Sequence, residues 1–286
     1  MPIDYDKLMA WPIREIEQSY GFKDSILYAL GLGFGADPMD ADQLKFVYED
    51  GQKVVPTQAL VMGYPGFWIK DAGTGIDWKK IVHGEQSMTL HAPLPPAGKV
   101  VGRSRMTAIV DKGPKVGALL FSERIVADQA TGQKLATLRQ TTVARGDGGF
   151  GGPSGPVPEP VKLPETAPES SCDIKTAANQ ALIYRLSGDL NPLHADPAVA
   201  KVGGFPRPIL HGMSSFGVVC HALLKTLAGY DPARIKRMDA RFTAPVFPGE
   251  TIRTEIWGRS GTVHFRARAV ERDVVVLGNG LAEIAA

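Results

Sequence analysis

The chain repeats a set of short motifs at a nearly constant separation, and this repeat limits the folds open to it. Three segments of the first half recur in the same order in the second half, about 150 to 156 positions later. The pairs are Tyr28–Gly31 with Tyr184–Ser187, Pro56–Gly63 with Pro206–Gly212, and Thr89–Pro95 with Arg241–Phe247. Ordered matches at one offset predict a duplicated structural unit.

Hydrophobic patterning gives each unit one main helix among antiparallel strands. In the first half we expect a helix from Asp24 to Ala36, interrupted by three glycines, and a short strand over Lys45–Tyr48. Further expected strands are Gln86–His91, Lys99–Val110, Val116–Ala127 and Lys134–Ala144. In the second half the pattern predicts helices over Thr176–Leu186 and Ile209–Leu227. A curved sheet that buries one long helix satisfies this pattern, so the predicted class is α+β.

A stretch rich in glycine and proline separates the two passes. Residues 146–171 cannot contribute to a core and are typical of an inter-domain linker. We therefore divide the chain into an N-terminal unit (1–145), the linker (146–171) and a C-terminal unit (172–286). With 286 residues, 44% of them hydrophobic, each unit is large enough to bury a core.

Charge and cysteine content exclude several classes of protein. The formal net charge is +2, which indicates neither a nucleic-acid partner nor a membrane partner. Cys172 and Cys220 are too few for a disulfide framework or a metal cluster. The acidic N-terminal segment lacks a signal-peptide core, and the chain ends in Ala285–Ala286 instead of a peroxisomal Ser-Lys-Leu. We expect a cytoplasmic protein.

The richest chemistry lies in the stretch from Tyr184 to Met213. Asp189, Asn191 and His194 place a carboxylate, an amide and an imidazole within six residues, between Gly188 and Pro192. Asp189 and His194 can carry protons near neutral pH, and Asn191 can orient a water molecule. Asp, Asn, Pro and Gly are also ordinary turn residues, so each alone has a structural interpretation.

The helix that follows offers a second functional group. Gly212 stands where this helix begins, and its N–H can approach a polarised carbonyl oxygen as an oxyanion-hole donor. His211, beside it, is assigned a structural role.

The whole string resembles the signature of the hydratase 2 family, the R-specific enoyl-CoA hydratases and MaoC-like dehydratases. The match runs through Tyr184, Ser187–Asp189, Asn191–His194 and Pro208–Met213 without a departure. The resemblance implies a double hot dog fold and reversible hydration of trans-2-enoyl-CoA to the (R)-3-hydroxyacyl thioester. It also implies Asp189, His194, Asn191 and Gly212 as the catalytic set, no metal or organic cofactor, an acyl-CoA substrate and a homodimer.

The two units differ where the chemistry is expected. At the 156-residue offset, Gly33 and Pro38 stand opposite Asp189 and His194, so one active site per chain is predicted. The family resemblance implies that the N-terminal unit accommodates the acyl chain. Gly31, Gly33 and Gly35 either leave room for that chain or form a simple loop.

Two other functions stay open at this point. A hot dog thioesterase would release free coenzyme A, and a non-catalytic acyl-CoA binding protein would need neither proton carrier.

Overall fold

The computed structural model describes residues 2–286 and contains one ten-stranded antiparallel sheet. The strands are β1 (Ile16–Tyr20), β2 (Ile81–Leu90), β3 (Gly98–Asp111), β4 (Ala118–Asp128), β5 (Lys134–Ala144), β6 (Ser170–Lys175), β7 (Ile235–Phe242), β8 (Thr251–Trp257), β9 (Gly261–Ala269) and β10 (Val274–Ile284). Their order across the sheet is β1-β3-β4-β5-β2-β7-β10-β9-β8-β6. Counted from the centre of the sheet outward, the five strands of the second unit follow the same order as the five strands of the first.

The sheet is continuous because β2 and β7 pair at its centre. In that ladder Ser87 lies opposite Asp239, its own equivalent in a repeat of 152 positions. The pseudo-two-fold axis of the duplication therefore passes between these two residues. The four long strands expected in the first half are present, with ends that differ by a few residues.

The two units differ in their central helix. The helices are α1 (Tyr5–Met9), α2 (Phe22–Leu30), α3 (Ala41–Val47), α4 (Gln180–Tyr184), α5 (Pro197–Val202) and α6 (Gly212–Leu223). Helix α6 is continued by a π-helical turn, Leu224–Ala228, and is buried from Ser214 to Leu223. The segment that matches α6 in the first unit is a single 3₁₀ turn, Pro56–Leu60.

Two of our expectations about the first unit are wrong. The helix expected over Asp24–Ala36 is the shorter α2, and it is not the counterpart of α6. The expected strand Lys45–Tyr48 is helical, because Asp40 caps α3 by accepting the N–H groups of Asp42 and Gln43.

The glycine-containing loop after α2 packs tightly against α6 instead of leaving a slot. Leu32 is fully buried and fills the space beside Gly217, where an added Cβ would lie 2.5 Å from a Leu32 methyl group. Phe34 is also buried and stacks on His221 of α6, with ring centroids 3.7 Å apart. The loop therefore joins the two units.

The hydrophobic core is divided. The main cluster surrounds α6 and spans both units. A smaller cluster in the first unit includes Ile69, Met106 and Leu120 and packs under α1. No helix among residues 2–286 has the length and apolar character required to cross a membrane.

The segment between β5 and β6 is an extended strap, held at several points. Near its start, the Asp111 carboxylate accepts the N–H groups of Gly149 and Gly151. Farther along, Asn279 donates its side-chain amide to the Val161 carbonyl, and the Trp257 indole donates to the Thr166 carbonyl. The strap is thus fixed to both units.

Candidate active site

The turn that carries the carboxylate begins where the helical segment after β6 ends. A 3₁₀ turn, Arg185–Ser187, continues α4 and stops at Gly188, whose φ of +125° favours glycine. Asp189 follows and is half-buried, and its carboxylate accepts the N–H of Asn191 at 3.2 Å. Gly188 therefore ends the helical segment that leads to Asp189.

Asn191 caps the short turn that leads to the His194 imidazole. Its side-chain oxygen accepts the N–H of Leu193 at 3.1 Å and so caps a 3₁₀ turn, Pro192–His194. Pro192 opens this short turn, because proline suits the first position of a helical segment. Asn191 is exposed, and its role toward water stays a prediction.

His194 is buried and held in one tautomer. Its Nδ1 lies 2.9 Å from the carbonyl oxygen of Ile209. A carbonyl can only accept, so Nδ1 carries the proton and Nε2 presents a free lone pair. Burial lowers the pKa of His194, while the Ile209 carbonyl and the Asp189 charge act in the opposite direction. The neutral imidazole, a proton acceptor, therefore predominates at neutral pH.

His211 contacts both proton carriers. Its ring stacks on His194 with centroids 3.7 Å apart, and its Nε2 donates to the backbone carbonyl of Asp189 at 3.1 Å. Burial, followed by the neighbouring His194, lowers the pKa of His211 to about 3. His211 is therefore neutral and joins the Asp189 turn to the start of α6.

Gly212 is the first residue of α6, so its N–H has no acceptor within the helix. A Cβ at this position would lie 3.0 Å from the Phe242 ring. The absence of a side chain thus leaves the helix N-terminus open toward the site.

Three side chains near the site come from distant parts of the chain. His83 of β2 packs edge-on against Phe242, with centroids 4.7 Å apart, and its Nε2 donates to the Glu85 carbonyl. Burial lowers the pKa of His83 to about 4, against a smaller effect of Asp189. Burial also raises the pKa of Tyr64, and the charge of Asp189 adds to the rise. The charge of Asp189 acts on both residues.

A cavity of about 170 Å³ separates the catalytic turn from the first unit. Ser187 and Gly188 line one side, and Leu27, Val61 and Met62 line the other. The first unit thus forms part of the wall beside the site.

The equivalent position in the first unit has no proton carriers. Tyr28 and Tyr184 lie at corresponding positions, and their rings approach to 5.7 Å across the interface of the units. After Tyr28, however, the chain has Gly33 and Pro38 where the second unit has Asp189 and His194.

Two family models match successive parts of the chain. Residues 18–146 match the model of the MFE-2 hydratase 2 N-terminal domain, and residues 160–279 match that of the MaoC like domain. The chain is 37% identical over 288 residues to the peroxisomal enoyl-CoA hydratase 2 of Arabidopsis thaliana, covering 95% of this chain and 93% of the relative. The chain belongs to the hydratase 2 family of MaoC-like dehydratases.

Other members of this family share the full length. The 3-hydroxyacyl-thioester dehydratase Y of Mycobacterium tuberculosis is 40% identical, with 92% of each chain covered. The crystal structure of a MaoC-like dehydratase from Phytophthora capsici matches with a TM-score of 0.86 at 34% identity, covering 98% of both chains. The predicted family and double hot dog fold are confirmed.

The donor atoms of Asp189, His194 and His211 all lie within 4.8 Å of one another. The two imidazoles here are stacked, 29° from parallel. Nδ1 of His194 and Nε2 of His211 already donate to backbone carbonyls, and the metal-free site stays a prediction.

Proposed function

We infer that this protein catalyses the reversible hydration of trans-2-enoyl-CoA to (R)-3-hydroxyacyl-CoA. The observation that carries the inference is the convergence of Asp189 and His194 at the open N-terminus of α6. Hydratase 2 relatives over nearly the whole chain support the same reaction.

We propose that Asp189 and His194 hold one water molecule between them. His194 Nε2 has a lone pair that can accept a proton, and the Asp189 carboxylate can accept the other O–H. As the water oxygen attacks C3 of the substrate, one of the pair takes its proton and a proton is delivered to C2. Asn191 is assigned to orienting the water or the thioester arm.

Gly212 is assigned to the thioester. Negative charge develops on the thioester oxygen as C3 is attacked, and the free N–H of Gly212 is placed to stabilise it. The N-terminus of α6 adds a favourable dipole at the same place. No organic cofactor enters this scheme, because the thioester itself acidifies C2.

The first unit is assigned to the acyl part of the substrate. Val61 and Met62 of the first unit line the cavity at Ser187 and Gly188, and Tyr64 lines a second cavity in the first unit.

A series of enoyl-CoA thioesters from crotonyl to dodecenoyl tests the reaction. We expect loss of the enoyl absorbance and formation of the (R)-alcohol. Release of free thiol without hydration would identify a thioesterase instead, and binding without turnover would identify an acyl-CoA binding protein.

We also propose a homodimer and a cytoplasmic location. The location needs its own test, since one relative is named peroxisomal. Light scattering after size exclusion measures the first, and cell fractionation measures the second.

A further inference from the structure

Four buried aromatic rings form a continuous row from the first unit to the His194 imidazole. The ring centroids of Tyr28 and Tyr184 lie 5.7 Å apart, and those of Tyr184 and His211 lie 5.0 Å apart. His211 in turn stacks on His194 at 3.7 Å. Centroid separations up to about 7 Å are those of favourable aromatic contacts. We call this row the aromatic column; its members are Tyr28, Tyr184, His211 and His194, and none is more than 8% exposed.

Both ends of the aromatic column are fixed by hydrogen bonds to backbone carbonyls. The Tyr28 hydroxyl donates to the Thr57 carbonyl at 2.8 Å, within the 3₁₀ turn Pro56–Leu60 of the first unit. At the other end, the Nδ1–H of His194 donates to the Ile209 carbonyl at 2.9 Å. Protein interiors are closely packed, so a row of rings that is held at both ends has little room to tilt or slide.

The backbone of the first unit also approaches the aromatic column closely. A Cβ on Gly31, directly after α2, would lie 3.2 Å from the Cα of Tyr184. Gly31 has a φ of −64° and a ψ of −7°, which any residue can adopt, so the close approach and not backbone strain favours glycine there. Tyr184 directly precedes the 3₁₀ turn Arg185–Ser187 that leads to Asp189. The first unit therefore contacts the start of the catalytic turn through a ring and through its backbone.

The aromatic column leads to one active site only. Tyr28 and Tyr184 are equivalent in the duplication, but at the 150-residue offset Val61 stands where the second unit has His211. The first unit thus retains the ring that packs on Tyr184 and lacks the imidazoles that would lead to a second site.

We propose that Tyr28 is a positioning residue for the hydration reaction, because it holds the His194 imidazole in place through the aromatic column. This inference rests on the proposed hydratase activity and gives the unit without proton carriers a part in it. A catalytic group has to stay within about 0.5 Å of its productive place, held by side chains that are themselves fixed by packing. A misplacement of about 1 Å can lower the rate roughly 100-fold.

The first test is Tyr28→Leu, with Phe34→Leu as its control. Both residues belong to the first unit, are at most 1% exposed and pack a ring against the second unit. Phe34 stacks on His221, outside the aromatic column. For crotonyl-CoA we expect Tyr28→Leu to lower kcat about tenfold, as for a displacement of roughly half an ångström, with KM changed less than about threefold. Phe34→Leu should lose similar stability in urea and keep kcat within about threefold of the wild-type value.

Two results of this comparison would overturn the proposal. Equal losses of kcat in both variants would assign the effect to a general loosening between the units. A higher KM at unchanged kcat would show that Tyr28, which also lines the cavity of about 170 Å³, acts on substrate binding instead.

Tyr184 allows a test of transmission, because it lies between Tyr28 and the two histidines. Tyr184→Leu interrupts the aromatic column, so adding Tyr28→Leu to it should lower kcat by less than about twofold more. Effects that multiply in the double variant would show that Tyr28 acts by another route, which overturns the proposal.

Two milder variants cover the case in which the leucine variants do not fold. Gly31→Ala adds one methyl group against Tyr184 and removes nothing, and it should lower kcat by about 3- to 10-fold at unchanged KM. Wild-type kcat in Gly31→Ala would overturn the proposal. Tyr28→Phe keeps the ring and should retain at least about one third of kcat, since a single hydrogen bond is lost. Failure of the wild-type enzyme to hydrate crotonyl-CoA would instead refute the proposed function.

Discussion

His211 offers the sharpest test of how the site is held together. Its ring stacks on His194 at 3.7 Å, and its N–H donates to the Asp189 carbonyl at 3.1 Å. His211→Phe keeps an aromatic ring for the stack and removes only the donor. The variant therefore separates packing from the hydrogen bond that fixes the Asp189 turn.

The expected effect on turnover is intermediate. Loss of one such bond is worth about 1–2 kcal/mol, including the penalty of an unpaired carbonyl. If the loss of this bond misplaces the Asp189 carboxylate and the whole free energy is added to the activation barrier, kcat falls by roughly 5- to 30-fold. KM should change little, because His211 is buried beneath the proton carriers and makes no contact in the scheme with the acyl chain.

The same helix supplies a matched control in His221. It is also buried, stacks on Phe34 at 3.7 Å and donates to the Leu32 carbonyl at 3.3 Å. His221→Phe should lower the free energy of unfolding by a similar amount and leave kcat near the wild-type value.

The assay follows crotonyl-CoA hydration across pH, with urea unfolding of each variant. Wild-type kcat in His211→Phe, at similar stability, would refute a positioning role. A loss of about 10²-fold or more would also refute it, since that size is typical of a residue that transfers the proton itself.

Three further results are expected. Asp189→Asn and His194→Gln should each lower kcat by about 10² to 10⁴, and the double variant should lose less than the product if both act on one water. A slowly converted thioester should titrate one site per chain by calorimetry, and two equal sites would contradict the loss of proton carriers in the first unit. Stability should fall with acid below pH 6.5: burial lowers the pKa of His211 to about 3 and of His221 to about 4, so the unfolded chain binds these protons first. His83, whose pKa burial lowers to about 4, and His194 act in the same direction. Urea unfolding at two pH values below 6.5 should show a loss of up to about 1.4 kcal/mol per pH unit for each of these histidines, reduced by the share of one histidine in His221→Phe, and no change between pH 7 and 5 would refute this.

The catalytic turn was predictable because its geometry is local. Gly188 ends one helical segment, Asn191 caps the next, and Pro192 starts it, all through contacts within a few residues. The order of the long strands in the chain was equally accessible, since alternation and turn residues define them.

The wrong prediction over Lys45–Tyr48 arose because a helix-capping residue outweighed the strand preference of the residues that follow it. Lys45–Tyr48 has residues that favour a strand, yet Asp40 begins a helix there by capping Asp42 and Gln43. This signal was in the sequence, because an aspartate before a polar first turn is a common helix start. The length of the helical segment after Pro56 could not be predicted in the same way, because a single turn and a helix of about four turns can begin with similar residues.

The remaining neighbours of the site depend on strand pairing. His83 and Phe242 meet because β2 and β7 are adjacent, although they are far apart in the chain. Tyr28 and Tyr184 meet because the two units pack against each other. No spacing rule within a single sequence reports such contacts.

The strap between β5 and β6 is the covalent link between the two units. It is anchored at Asp111, Asn279 and Trp257, but the sheet does not need it for continuity, since β2 and β7 pair directly through five residue pairs. A single cut in the exposed part of the strap would leave two fragments with complementary edges and interlocking side chains, including Leu32 against Gly217. We therefore expect two separately expressed halves to reassemble into an active pair.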